Sequence, residues 1–358
     1  MKHDKQKIFD LNIANEEINP HAGGQTVVFN SPVYVVGNYS VVGHKERDGT
    51  FGDKFDEVIT DEYFGESSHE GAERKMFERA ITGAVKKSGL GISDVNMFMG
   101  GDLMDQITSS SFAARSLDMT YVGVYGACST MALSLGMASC LVESGAKQAI
   151  VAAAGSHYAT AERQFRTPLE LGNQRPPTSQ WTITGVGATV VSKSQSTPQN
   201  SFTIVVKSTT FGKVIDWGIK DANNMGAVMA PSAAHTLLAH FRDTKTKPND
   251  YDAIFTGDLG RLGEASLRDL MINAGFALGD NYIDCGSTIY KPKQTQYEGG
   301  SGAGCSAIYL NSVIIPRLGN GEYKNVLFVA TGALLSPTSS FQGNTIPGIS
   351  HAVTLESV

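Results

Sequence analysis

Tyr125-Gly126-Ala127-Cys128-Ser129-Thr130-Met131-Ala132 is the stretch whose reading decides the fold. A short apolar strand, Tyr121 to Tyr125, runs into a cysteine, and the cysteine opens a helix of small residues, about Ser129 to Val142. Gly136, Ala138, Ser139 and Cys140 leave little bulk on one side, so neighbouring backbone can pack closely on that helix. Unpaired N–H groups and the dipole at a helix start favour negative charge. A cysteine placed there either holds a thiolate or sits beside a bound anion.

Composition narrows the function classes. The 358 residues suffice for a large core and two packing units. A hydrophobic share of 41% against 18% charged is a globular balance and excludes a disordered chain. The net charge of −6 comes without long runs, so there is no nucleic-acid footprint and no basic membrane-surface helix. Cys128, Cys140, Cys285 and Cys305 show no CxxC spacing, which argues against a metal site and a disulfide framework and for a reducing compartment. Met1 to Asn19 carries no apolar segment of the secretory type, and no stretch approaches the ~18 apolar residues of a membrane span. The expectation is a soluble protein, held at a membrane only through partners.

Along the chain, residues 1–24 read as a loosely ordered leader. Val33 to Val42 reads as a strand with a turn around Gly37, followed by loop and short helix over 43–65. Met76, Phe77, Ala80, Ile81, Ala84 and Val85 share one face of a helix over 70–88, stopped by Gly89 and Gly91. Ser93 to Leu103 then resembles Asn249 to Leu259 without a gap; each follows a helix and ends Gly-Asp-Leu. A second echo sets Gly185–Val191 against Gly302–Ile308 as two small-residue strands, which would put Cys305 in a strand. The matching order of the echoes predicts two related halves, 25–195 and 200–358, with a polar excursion over 160–180 in the first. Strands alternate with helices in both, giving an α/β class.

These residues resemble the thiolase-like fold of thiolases and ketoacyl-synthase condensing enzymes. The features that carry it are the doubled chain, Ala127-Cys128-Ser129 opening its helix, Gly185-Val186-Gly187-Ala188, and the cluster Gly299-Gly300-Ser301-Gly302-Ala303-Gly304. The resemblance spans 25–358 and implies a five-layered α-β-α-β-α arrangement. Ser156 to Arg166 and Gly172 to Thr182 are similar to the stage V sporulation protein AD family of spore-forming bacteria. That resemblance implies binding of dipicolinic acid (pyridine-2,6-dicarboxylate), a role in its uptake into the developing spore, and action at the spore inner membrane beside membrane-embedded partners. By fold analogy it also implies a homodimer, with the strand Gln148–Ala154 near the interface.

Condensing enzymes pair their cysteine with two further donors, usually His–Asn or His–His. Where the ketoacyl-synthase resemblance expects the histidine, this chain has Gly257-Asp258, and Gly300-Ser301 stands at the second place. A carboxylate donates no hydrogen bond and raises the pKa of a neighbouring thiol. The sequence therefore favours a non-catalytic binding protein with a surviving pocket. The candidate ligand-binding residues are Cys128, Ser129, Asp102, His157, Asp258, Gly300 and Gly332, with no catalytic residue, resident metal or cofactor, and calcium entering only with the ligand. Arg163, Arg166 and Arg175 are candidate carboxylate partners. Each has a plainer alternative: Cys128 as packing, His157 as a hydrogen-bonded core residue, Asp102 and Asp258 as helix caps, and the arginines as loop or interface residues. Two rivals stay open, an acyltransferase or ketoacyl synthase with Cys128 as nucleophile, and a structural scaffold.

Overall fold

A run of β-branched and aromatic residues makes Thr26–Val42 one long strand, the centre of a sheet shared by two similar halves. The computed structural model describes residues 24–95, 97–165, 175–195, 202–294 and 297–358, so the leader to residue 23 and Arg166 lie outside the described residues. The first half runs β1 (Thr26–Val42), α1 (His69–Ser88), β2 (Met97–Gly101), α2 (Thr108–Ser116), β3 (Thr120–Gly123), α3 (Thr130–Glu143), β4 (Ala149–Ser156), α4 (Tyr158–Phe165) and β5 (Gly185–Ser192). The second runs β6 (Ile204–Thr210), α5 (Met225–Thr244), β7 (Ala253–Thr256), α6 (Gly260–Asn273), β8 (Tyr282–Asp284), α7 (Ala303–Tyr309), β9 (Asn325–Ala333) and β10 (Gly348–Ser357).

Strand order repeats between the halves: β3-β2-β4-β5-β1 in one and β8-β7-β9-β10-β6 in the other, joined through antiparallel β1 and β6. In each half the strand before the junction strand, β5 or β10, is antiparallel to both neighbours. Helices α1 and α2 cover one outer face and α5 and α6 the other. Between the halves lie α3 and α7; α3 packs on β1 and β4 of one half and on β9 and β10 of the other. This is the five-layered α-β-α-β-α thiolase-like fold.

Local chemistry explains the outer and inner helices differently. On α1, Ser68 accepts from the Gly71 N–H at the start, Gly89 turns left-handed at φ 74° at the end, and the apolar face over 76–85 is buried. On α3 nine of the fourteen residues are buried, including most of its first three turns, as the middle layer requires, and Gly136 lets the helix approach Thr209 of β6.

Four expectations change. The first strand starts at Thr26, not Val33, because Thr26–Val28 pair with Ser208–Thr210; Pro32 falls in the register break between Val28 and Val33, where a missing N–H costs no ladder bond. Gly37 is no turn. It lies at a register shift inside β1, where a side chain would overlap the Ala84 carbonyl of α1. Cys305 lies in helix α7, not in a strand; residues 303–315 are buried throughout, and a fully buried apolar run carries no period to separate helix from strand. In the repeated order, β5 corresponds to β10, and α7 corresponds to the cysteine helix α3. Finally, β4, which holds most of Gln148–Ala154, lies inside the sheet between β5 and β2 rather than at its edge; among the described residues the edge strand of this half is β3.

Candidate ligand pocket at Cys128

The turn before α3 is strained. Ala127 sits at φ 49°, in the left-handed region that a residue with a Cβ rarely adopts. Around it, Ser129 Oγ donates to the Gly126 carbonyl (2.6 Å), Thr130 Oγ1 donates to the Ala127 carbonyl (2.7 Å), and the Gly126 N–H donates to Thr130 Oγ1 (3.1 Å). The Ser129 and Thr130 N–H groups close the same turn on Gly126 and Ala127. Ser129 is thus consumed in holding the elbow. Gly332 of β9 lies against it: a Cβ there would overlap the Gly126 carbonyl oxygen and stand 3.1 Å from Ser129 N.

The elbow aims Cys128 at Asp258. The Asp258 carboxylate accepts from the Gly302 N–H (2.8 Å), Ser301 Oγ (3.2 Å) and Thr331 Oγ1 (2.9 Å), and from the Cys128 thiol. Burial pushes Asp258 up to about 6 against the lowering effect of those donors. Burial, and then the Asp258 charge, holds the Cys128 thiol well above its ordinary range. The group at the helix start is therefore a thiol at neutral pH, not a thiolate. Asp258 does not cap α6; that task falls to Asp284, which accepts from the N–H groups of Leu259 (2.8 Å), Gly260 (3.0 Å) and Ser287 (2.8 Å) and which burial pushes up to about 7.

In front of Cys128 is a pocket with a cavity volume of about 50 Å³, room for on the order of four waters. Leu103, Ala161, Phe165, Met225, Ala333 and Leu335 make its walls apolar, and Tyr125, Thr182 and Ser301 supply hydroxyls. Among the described residues its one charged wall residue is Glu162 on α4, whose carboxylate meets Arg175 at 2.7 Å and accepts from Thr182 Oγ1 at 2.9 Å.

Of the residues singled out from sequence, Cys128 lines the pocket, Asp258 touches Cys128 from behind, and Gly332 and Ser129 shape the elbow. Gly300 is wall backbone: its carbonyl accepts from Gln180 Nε2 (2.9 Å), and Gly300–Ser301 pairs with Trp181–Thr182. Asp102 and His157 are elsewhere. Asp102 is spent on the Ser110 N–H (2.7 Å), Ser110 Oγ (2.8 Å) and the Met104 N–H (3.0 Å), which tie its loop to α2. His157 is a core histidine. Its Nε2 donates to the Glu62 carbonyl (2.9 Å) and its Nδ1 accepts from the Ala159 N–H (3.2 Å), a pairing that fixes the neutral tautomer, and burial lowers its pKa to about 4. Arg163 pairs outward with Glu70 (3.2 Å). Sequence reasoning passed over Glu162, Phe165 and Thr182, although Ala161, Glu162 and Phe165 share one face of a helix turn within the polar excursion.

Comparison with known proteins accounts for this arrangement. Residues 23–356 match the family model of stage V sporulation protein AD (SpoVAD). The chain belongs to the stage V sporulation protein AD family. Stage V sporulation protein AD of Bacillus subtilis (strain 168) is 42% identical over 334 residues, covering 93% of this chain and 97% of that one. Among solved structures, cerulenin-bound OleA of Xanthomonas campestris aligns with a TM-score of 0.59 at 12% identity over 95% of this chain and 98% of that one. The 3-oxoacyl-[acyl-carrier-protein] synthase III of Aquifex aeolicus VF5 aligns with a TM-score of 0.55 at 12% identity over 90% and 99%. At such identities the two structures speak to the fold, and the family match places the chain among sporulation proteins.

Proposed function

We propose that this sporulation-family protein is a binding protein: it takes dipicolinate, or its calcium complex, in the pocket at Cys128 and supports its uptake into the developing spore without acyl transfer. One observation carries the reading. Cys128 faces the buried Asp258 carboxylate, and burial together with that charge raises its pKa, the opposite of the electrostatics that activate a cysteine nucleophile. The apolar walls with a few convergent hydroxyls suit the face of a flat aromatic ring, and at about 50 Å³ the pocket must widen to take the whole ligand. The protein needs no resident cofactor on this reading. No described helix is long and apolar enough to cross a membrane, so its place at the spore inner membrane would come through membrane-embedded partners.

The same reading takes it as a homodimer joined along β3. Thr120–Gly123 ends the sheet with no neighbour on its outer side, and Phe112 and Tyr125 beside it are exposed. An edge of this kind is covered by a second strand in stable assemblies. The strained elbow is what favours the rival, a Cys128 acyl-enzyme. Isothermal calorimetry with dipicolinate, paired with intact mass after incubation with acyl-CoA, separates the two. Saturable heat that Cys128→Ala weakens, with an unchanged mass, is the expected result; no heat together with an acyl adduct on Cys128 would reverse the assignment.

A further inference from the structure

At about 50 Å³ the pocket is too small for a ring bearing two carboxylates, so a wall must move to admit one. Much of the lining is pinned. Ala127 and Cys128 belong to the elbow, Thr182 and Ser301 to paired strands, and Ala333 to β9. Leu103 is different. It stands between β2 and α2, outside any strand or α-helix, in a segment that is strained where its counterpart in the other half is not. Gln106 sits at φ 57° and Ile107 at φ 46°, two consecutive residues with side chains in the left-handed region, one of them β-branched. In the other half Gly257-Asp258-Leu259 runs straight into α6, and the left-handed place falls to Gly260 at φ 69°, where it costs little. The first half adds Met104 to Ile107 before α2 and has no glycine there.

Both ends of the segment are anchored. At one end the Asp102 carboxylate accepts from the Ser110 N–H (2.7 Å) and the Met104 N–H (3.0 Å). At the other Ile107 is wedged against the ends of β2 and β3: a Cβ on Gly101 would stand 3.1 Å from Ile107 Cγ2, and one on Gly123 would overlap Ile107 Cδ1. Between the anchors the ties to the facing walls are thin. The Asp105 N–H donates to Gln164 Oε1 of α4 at 3.2 Å, and Tyr125 Oη donates to the Leu103 carbonyl at a long 3.5 Å. Gln164 Nε2 is buried without a hydrogen-bond partner, so that tie is half made. Gln106 itself is exposed. Backbone strain persists only where the surroundings over-determine it, and it favours any rearrangement that relieves it.

We propose that Leu103–Gln106 is a strained gate on the Cys128 pocket: closed, it sets Leu103 against the cavity; open, Gln106 leaves the left-handed region and the cavity widens to admit the ligand. Only the open fraction binds, so the strain at Gln106 sets both the rate of entry and the apparent affinity. The ligand that uses the gate rests on the dicarboxylate reading above, whereas the opening itself does not.

The test compares the full chain with Gln106→Val and Gln106→Asn, two changes at an exposed position that leave the core untouched. A β-branched side chain raises the strain of the closed gate, and asparagine, which tolerates the left-handed region, lowers it. Cys128 is buried, so its alkylation by iodoacetamide in the native protein at pH 7.5, followed by peptide mass, reports opening. Dipicolinate calorimetry on the same proteins reports binding. Labelling should be about three-fold or more faster than wild type in Gln106→Val, slower by a similar factor in Gln106→Asn, and equal for all three in urea. Dipicolinate should bind tighter to the first and weaker to the second by the same factors. If Gln106→Val does not fold, Gln106→Asn against wild type carries the test. Labelling that does not follow this order refutes the gate, whether or not dipicolinate binds. Ordered labelling with no dipicolinate heat keeps the gate and removes the ligand assigned above. Ordered labelling with an affinity indifferent to both variants refutes the gate as the ligand's route.

Discussion

Replacing Asp258 by Asn should change how stability depends on pH, and the change can be worked out from the site. Asp258 is fully buried, and its pKa rises from 3.8 to about 6 on folding. An acid of that kind binds a proton on folding between the two values, so stability is greatest below pH 3.8, falls as pH rises toward 6, and is flat above. At roughly 1.4 kcal/mol per unit of pKa shift the whole fall is on the order of 3 kcal/mol, of which about half lies between pH 5 and 7.5. Asn keeps the shape and an acceptor for the Gly302 N–H but cannot ionise. Urea unfolding of both proteins at pH 5 and pH 7.5 reads the difference. Asp284 and Glu46, each raised to about 7, titrate in both proteins and largely cancel in it. Wild type should lose on the order of 1 kcal/mol relative to the Asn variant as pH rises from 5 to 7.5. A gap that stays constant, or one that moves in favour of wild type, would show that Asp258 is not a desolvated carboxylate and would remove the basis for holding Cys128 protonated.

Other expectations follow from the same geometry. Gly332→Ala should destabilise by about 1–3 kcal/mol in urea, since its Cβ would collide with the Gly126 carbonyl and push the cysteine elbow; a change below about 0.5 kcal/mol would mean the elbow yields freely. Iodoacetamide should label Cys128 more slowly at pH 7.5 in the folded protein than in urea, and Asp258→Asn should speed labelling in the fold. Fast labelling of the native wild type, followed by peptide mass, would contradict a thiol raised by burial. Val122→Lys on the edge strand should turn a dimer into a monomer in analytical ultracentrifugation, and an unaltered dimer would place the interface elsewhere.

Legibility of the fold in the sequence varied with the kind of signal. The Gly-Asp-Leu echo correctly aligned β2 with β7, because each is a short buried strand at the same place in the strand order of its half, although the turns that follow differ. The second echo misled. Gly302 breaks the backbone at φ 101° and the following small residues coil into a middle-layer helix, where burial on all sides erases the alternation that would mark a strand. The convergence of Cys128, Asp258 and Ser301 was legible through the family resemblance, which supplied the long-range pairing that local pattern lacks. Asp102 and His157 stand just past strand ends, as pocket residues do, yet their side chains turn to backbone groups nearby, and a side chain's direction is not written in its position along the chain. Glu162 was hidden for the converse reason. A charged residue in a polar excursion looks solvated, and partners brought back by the loop, Arg175 and Thr182 among them, allow it to be buried.

The central proposal is that the pocket at Cys128 takes a flat dicarboxylate beside a thiol that does not act as a nucleophile. Diffraction from a crystal soaked in dipicolinate tests it most directly. The account predicts ring density between Phe165 and Met225, in contact with Cys128, with no covalent bond to sulfur. An empty pocket at saturating ligand, or density continuous with Cys128 Sγ, would contradict it.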